Sequence, residues 1–375
     1  MSKVRLRAGI GRNGLIPYLL NFIFLLVLYG VLDAKGTQSG KRSFCIVAAI
    51  VEGVFFGLAD PACYRDGLQY QHLFELAGFS GLENELSRFW QAYFVDFQFS
   101  SERGFYVLMA AFQCVSESYV FFQFCVSVFF FSLLYRFFYH HSKDPLLSSL
   151  FFTAIFAFAF MSLLRQTLAI CIAVLIGTEF IYRRKAVPFL ICVLVACTMH
   201  QSALIFLPLY WLAGVEPSRG RVAFGIACAV AVSLLSSVIW PLASVILGDY
   251  QQYFSSSYKG SNTSLYFLLQ VVVAAFVLLH VRKVSVEEDG LMGNRILLYS
   301  SLIMLMIAPF SQYNSNVFRI SYYYFVLIAC FLPALLGSYL AHGRVVAQVG
   351  FVAVMLCALA LFGVQTDVPY EVFFA

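Results

Sequence analysis

Residues 163–210 read LLRQTLAICIAVLIGTEFIYRRKAVPFLICVLVACTMHQSALIFLPLY. Two apolar runs of membrane-spanning length meet here at Arg183, Arg184 and Lys185, with Arg165-Gln166 at the far end of the first and His200-Gln201-Ser202 at the far end of the second. A chain that runs out and back brings Arg165 and His200 to one membrane face. An arginine or histidine at membrane depth costs several kcal/mol in lipid unless it lines a polar cavity, so such residues mark function by default. The expected arrangement is a cavity that both residues share.

Composition extends this reading to the whole chain. Of 375 residues, 61% are hydrophobic, 18% aromatic and only 11% charged, with mean hydropathy +0.84; a soluble domain is about 25% charged. The expected fold is therefore all-α, a single polytopic integral membrane bundle spanning residues 1–375. Each crossing of the hydrocarbon core needs about 20 residues, which leaves room for roughly 11–14 transmembrane helices. Net charge is +5, and the basic residues cluster in short links between apolar runs. That is the pattern of positive cytoplasmic loops and not the continuous basic face that nucleic acid requires, so no nucleic-acid partner is expected. The ten cysteines lack the spacing of a metal or redox motif and read as small packing residues.

Outward from the central stretch, the apolar runs predict spans near 15–32, 43–58, 119–138, 146–163, 167–182, 186–197, 202–212, 223–247, 265–281, 296–309, 322–340 and 345–362. Gly104 to Val115 is too short to cross and reads as a re-entrant or interfacial helix. Between Ala59 and Arg103 lies the one sizeable acidic stretch, with Asp60, Asp66, Glu75, Glu83, Glu85, Asp96 and Glu102 set against Arg65, Arg88 and Arg103. Residues 248–264 form a second polar, aromatic loop. Counting crossings puts Arg165, His200, this second loop and Arg319 on one face. Arg183 to Lys185, Arg219, Arg221, Arg282, Lys283 and Arg344 fall on the other, which the charge rule makes cytoplasmic. The acidic 59–103 stretch joins the outward face if Gly104 to Val115 does not cross, and the cytoplasmic face if it does. The first arrangement is preferred because it gathers carboxylates and arginines at one outward-facing cavity.

In order along the chain stand RDGLQYQHLF (65–74), with Asp66, Tyr70 and Phe74 in an Asp-x3-Tyr-x3-Phe pattern; ERGF (102–105); RQTLA (165–169); HQSALIFLPLY (200–210); and NVFRISYYY around Arg319. This series resembles the EpsG family of integral-membrane exopolysaccharide and O-antigen polymerases, a Wzy-type group. The likeness is closest over 59–210. Arg103 stands where the family has proline in its Glu-Pro-Gly-Phe motif, and Arg65 precedes Asp66 where the family has a small residue.

The resemblance implies a GT-C-like glycosyltransferase architecture in the bacterial inner membrane, with its site toward the periplasm or cell exterior. It implies transfer of a growing glycan from undecaprenyl diphosphate onto an undecaprenyl-diphosphate-linked repeat unit. A chain-length regulator and a flippase are the implied partners, beside the bilayer itself. Such a reaction needs guanidinium groups for the leaving diphosphate and a base for the acceptor hydroxyl. Arg165, Gln166 and Arg319 are the first candidates for the diphosphate, with Arg65 and Tyr70 as further substrate contacts; the alternatives are snorkelling, a structural salt bridge, a solvated loop charge or packing. Asp66, Glu102 and His200 are the candidate bases. Against them stand a solvated acidic surface for the carboxylates and, for the imidazole, a helix cap made through Ser202 or a backbone carbonyl. Tyr250, Tyr253 and Tyr258 offer sugar-stacking surfaces, or simply an interfacial aromatic belt.

The chain has no Asp-x-Asp motif, no glycine-rich phosphate loop and no His/Cys cluster at ligand spacing. Neither a nucleotide-sugar donor nor a metal or other cofactor is expected. The competing readings are a transporter or flippase of a lipid-linked oligosaccharide, which would show internal repeats and helices broken at mid-membrane, and an O-antigen ligase, which shares the donor.

Overall fold

The computed structural model describes residues 15–32, 36–246, 263–280, 288–337 and 341–362, and every regular element among them is helical. Among the described residues five helices are long and apolar enough to cross a bilayer: Tyr119–His141, Leu164–Tyr182, Arg219–Leu242, Thr263–His280 and Leu291–Gln312. Six further apolar helices are shorter. Along Arg219–Ile246 the side chains of Phe224, Leu234, Leu235, Val238 and Leu242 are exposed. An apolar surface of that extent is what a bilayer covers. The protein is a multi-pass helical membrane protein.

The helices gather into two compact units. One holds the described residues up to Tyr139, Pro145–Leu168 and those from Val349 onward; the other holds His140–Asp144 and Ala169–Gln348. Both are discontinuous in sequence, so no shift in composition marks a boundary between them.

In the first unit, α1 (Ile16–Leu32), α2 (Gln38–Gly57), α3 (Gly67–Ser80), α4 (Leu82–Trp90), α5 (Arg103–Gln113), α6 (Tyr119–His141), α7 (Pro145–Ile155) and α8 (Ala157–Met161) follow one another. Helix α2 meets α6 through Gly53 and Gly57, one turn apart on the same face. A Cβ at Gly53 would stand 3.1 Å from the Cα of Val128, and one at Gly57 3.0 Å from that of Phe124. Small residues at this spacing let membrane helices pack backbone to backbone. Beside this seam Glu52 is wholly buried. It accepts hydrogen bonds of 2.8 Å from Asn21 Nδ2 on α1, the Tyr135 hydroxyl on α6 and Thr153 Oγ1 on α7. A carboxylate in an apolar interior persists only when its lone pairs are used, and here they tie α2 to three other helices.

The acidic 59–103 stretch is mostly helical: a turn at Pro61–Cys63, then α3, α4, a π-helical turn at Gln91–Val95 and a turn at Phe99–Ser101. Tyr70, Phe74 and Ala77 lie at helical spacing along α3 and are buried, with Phe74 and Phe105 both packed on Phe122 at 5.3 and 6.2 Å. The exposed charges of the stretch thus ride on helices that have an apolar side. Most of Gly104 to Val115 lies in α5, whose eleven residues reach about 16 Å, half of the hydrocarbon thickness.

The second unit contains most of Leu164–Tyr182, which comprises α9 (Leu164–Ile170), a π-helical stretch Cys171–Ile176 and α10 (Gly177–Tyr182), followed by α11 (Ala186–Met199). The turn between α10 and α11 is the basic cluster. Arg184 there has φ 51° and folds inward, its guanidinium 4.5 Å from the centroid of the Tyr210 ring and donating to the Tyr210 carbonyl at 2.6 Å. The span predicted at 202–212 is built from a 3₁₀ helix, Gln201–Phe206, and a short α12 (Leu207–Ala213). Pro208 brings no N–H to the helical ladder, and the pair runs back along α11, Phe189 stacking on Tyr210 at 5.1 Å, to end beside Arg184. After it come α13 (Arg219–Ile246), α14 (Thr263–His280), α15 (Glu288–Ile307), α16 (Ser315–Ile320), α17 (Tyr322–Gly337) and α18 (Ala341–Phe362), which continues into the first unit. Tyr250, Tyr253 and Tyr258, and the 248–264 loop as far as 262, lie outside the described residues.

Candidate functional site

Arg165 stands in the first turn of α9. That turn is fixed by Thr167, whose hydroxyl donates to the Phe160 carbonyl at 2.6 Å across the α8–α9 link. Leu164, Gln166 and Thr167 are buried around it, while the Arg165 side chain keeps 30% of its surface. Its Nη1 lies 2.8 Å from Oε2 of Glu102, and its buried Nε has no hydrogen-bond partner.

Glu102 reaches this arginine from the junction between the Phe99–Ser101 turn and α5. It is buried, and its backbone is left-handed, with φ 50° and ψ 34°. Glutamate seldom adopts that region, which costs of order 1–3 kcal/mol unless the surroundings hold it. The ion pair with Arg165 is one such restraint. The N–H of Arg103, donated to the Tyr93 hydroxyl at 3.1 Å, is another.

Tyr70 closes the third side. It is buried on α3, the Arg165 guanidinium lies 5.9 Å from its ring centroid, and the two side chains are hydrogen-bonded. Burial raises the Tyr70 hydroxyl above the usual tyrosine range, against the opposing pull of the Arg165 charge. The phenol is therefore neutral at physiological pH. Asp66 is the N-cap residue of α3, close enough for its charge to act on Tyr70, and its side chain does not cap the helix. Arg65 is exposed, and its backbone N–H donates to Ser162 Oγ at 3.4 Å.

The first unit thus brings Arg165, Glu102, Tyr70 and Asp66 together. A neighbouring cluster was not singled out in the sequence. Glu85, exposed by only 2%, pairs with Arg88 at 2.7 Å and with Arg103 at 3.8 Å, and Arg103 lies 5.4 Å from the centroid of Tyr106. The available signal was Arg103 itself, a cation directly beside a candidate acid.

His200 and Arg319 belong to the second unit. His200 has extended backbone, φ −157° and ψ 120°, between α11 and the Gln201–Phe206 helix. Its N–H donates to the Ala196 carbonyl and its carbonyl accepts from the Ala203 N–H, but the imidazole does not cap the helix. The Ser202 hydroxyl is taken up by Tyr323 at 3.0 Å. Arg319 lies in the last turn of α16, next to Phe318, which stacks on Tyr266 at 4.4 Å. Trp240 and Tyr313 stack at 5.5 Å within the same unit. Among the described residues no group of three or more His, Cys, Asp or Glu could hold a metal ion.

Chemically, the first-unit cluster offers a guanidinium with an unused donor, a carboxylate against it and a neutral phenol. Compared with known protein families, residues 44–372 match the EpsG family, across both units. Comparison with curated proteins and with solved structures found no match.

Proposed function

The chain belongs to the EpsG family, and from that premise we propose that it is a glycosyltransferase that polymerises an exopolysaccharide or O-antigen. It transfers the growing glycan from undecaprenyl diphosphate to the terminal sugar of an undecaprenyl-diphosphate-linked repeat unit, at the outer face of the bacterial inner membrane. The observation that carries this reading is Arg165, held between Glu102 and Tyr70 with one N–H unfilled. A planar guanidinium in a partly desolvated setting suits an oxyanion that gains charge as it departs.

In the reaction, the acceptor hydroxyl loses its proton to a base as its oxygen bonds to C1 of the donor sugar. The C1–O bond to the diphosphate breaks, and the diphosphate leaves with the electron pair, stabilised by Arg165. Glu102 and Asp66 are the carboxylate candidates for the base and His200 the imidazole candidate. Arg319, Arg65 and Gln166 are proposed as further contacts to donor or acceptor. A chain-length regulator and a flippase are the expected partners.

The test supplies purified protein in liposomes with synthetic lipid-diphosphate repeat units and no nucleotide sugar. A ladder of longer glycans is the expected result. Movement of the repeat unit across the bilayer with no elongation contradicts the proposal and favours a transporter.

A further inference from the structure

We propose that Glu102 is a built-in counter-anion: it occupies Arg165 until the donor's diphosphate displaces it, and only then is its carboxylate free to act. The inference rests on the reading of Arg165 as the diphosphate contact and adds an order of events to it.

Three features point this way. First, Glu102 Oε2 meets Arg165 Nη1 at 2.8 Å, while Arg165 Nε is buried without a partner. Beside the Glu102 and Tyr70 contacts the Nε donor stays unfilled, whereas a diphosphate brings several oxygens to the same guanidinium. Second, Glu102 is held at φ 50° where two short helical elements meet, a strained setting of the kind found at switches and ligand clamps. Third, the charges compete in the right sense. Carboxylate and guanidinium neutralise each other before substrate arrives, and a diphosphate, with more negative charge, outbids a single carboxylate for the same cation. The consequence is that neither the acceptor hydroxyl nor water meets an unmasked Glu102 until the donor is seated.

The experiment measures binding of farnesyl diphosphate to the full-length protein in nanodiscs, for the wild type, Glu102→Gln, Arg165→Ala and the double variant. If the open form is about 10% populated, removing the competing charge tightens binding about tenfold in Glu102→Gln. Arg165→Ala is expected to bind far more weakly, and the double variant to bind as Arg165→Ala does. Should Glu102→Gln not fold, Glu102→Gly removes the same carboxylate at a backbone position glycine adopts readily, and the same gain is expected. Loss of binding in Arg165→Ala with no gain in Glu102→Gln overturns the counter-anion while leaving the diphosphate contact intact. A gain that persists without Arg165 also overturns it, since it would reflect general charge and not release of the arginine. Undiminished binding in Arg165→Ala overturns the underlying reading as well.

Discussion

At Arg165 one guanidinium meets an acid, a phenol and an unfilled donor position. The sequence made Arg165, Glu102 and Tyr70 visible one at a time: an arginine at the edge of an apolar run, an acid in ERGF and a tyrosine four residues after Asp66. Their convergence depends on how α3, α5 and α9 pack, which no local pattern encodes. Glu52 was passed over because it sits inside an apolar run that reads as a span, although a lone acid in such a run is itself a signal. For Tyr70 the expected outcome concerns pH. Since burial holds its hydroxyl neutral through the physiological range, Tyr70→Phe should lower elongation several-fold by loosening Arg165 without moving either limb of the pH profile. A shifted limb, read from initial rates across pH, would make Tyr70 a titrating catalytic group instead.

Among elements, α2 bears most of the packing argument in the first unit. Replacing Gly57 by isoleucine forces a side chain against the Phe124 backbone, 3.0 Å from where its Cβ would lie, and overpacking of this kind costs about 1–3 kcal/mol. Glu52→Ala strips the acceptor from Asn21, Tyr135 and Thr153 together; since each orphaned buried donor costs roughly 1–3 kcal/mol, it should be the more damaging of the two. Thermal unfolding in detergent reads both losses, with Glu52→Gln milder because one carbonyl oxygen still accepts. Unchanged melting in Glu52→Ala would mean that the cluster is dispensable. Gly67 tells a related story: a Cβ there would fall 2.1 Å from the Pro61 carbonyl, so the start of α3, one turn before Tyr70, depends on a bare backbone. Helix existence was legible because apolar runs are long and uninterrupted. The helical character of 59–103 was masked by its charges, and the break at 200–208 by an apolar composition that continues through Pro208.

For the whole molecule, class and family were legible from composition and from the order of motifs, whereas the two units were not, because each is assembled from separate parts of the chain. The proposed orientation takes Arg219 and Arg221 as inside by the lysine and arginine bias, and the acidic 59–103 stretch as outside together with Arg165, which Glu102 holds. Single cysteines placed at Glu83 and Arg221 in a cysteine-free background, probed in intact cells with a membrane-impermeant maleimide, should label at the first position only. Labelling at Arg221 alone would invert the orientation and put the acidic stretch in the cytoplasm. The central claim is that Arg165 stabilises the departing diphosphate, and its most direct measure is the elongation rate of purified Arg165→Ala and Arg165→Lys beside wild type, each shown to be folded by its melting transition. Both variants should elongate about 100-fold or more slowly, because removing one donor to a developing oxyanion costs that much and a lysine cannot reproduce a planar fork. Elongation by folded Arg165→Ala within a few-fold of wild type would contradict the account.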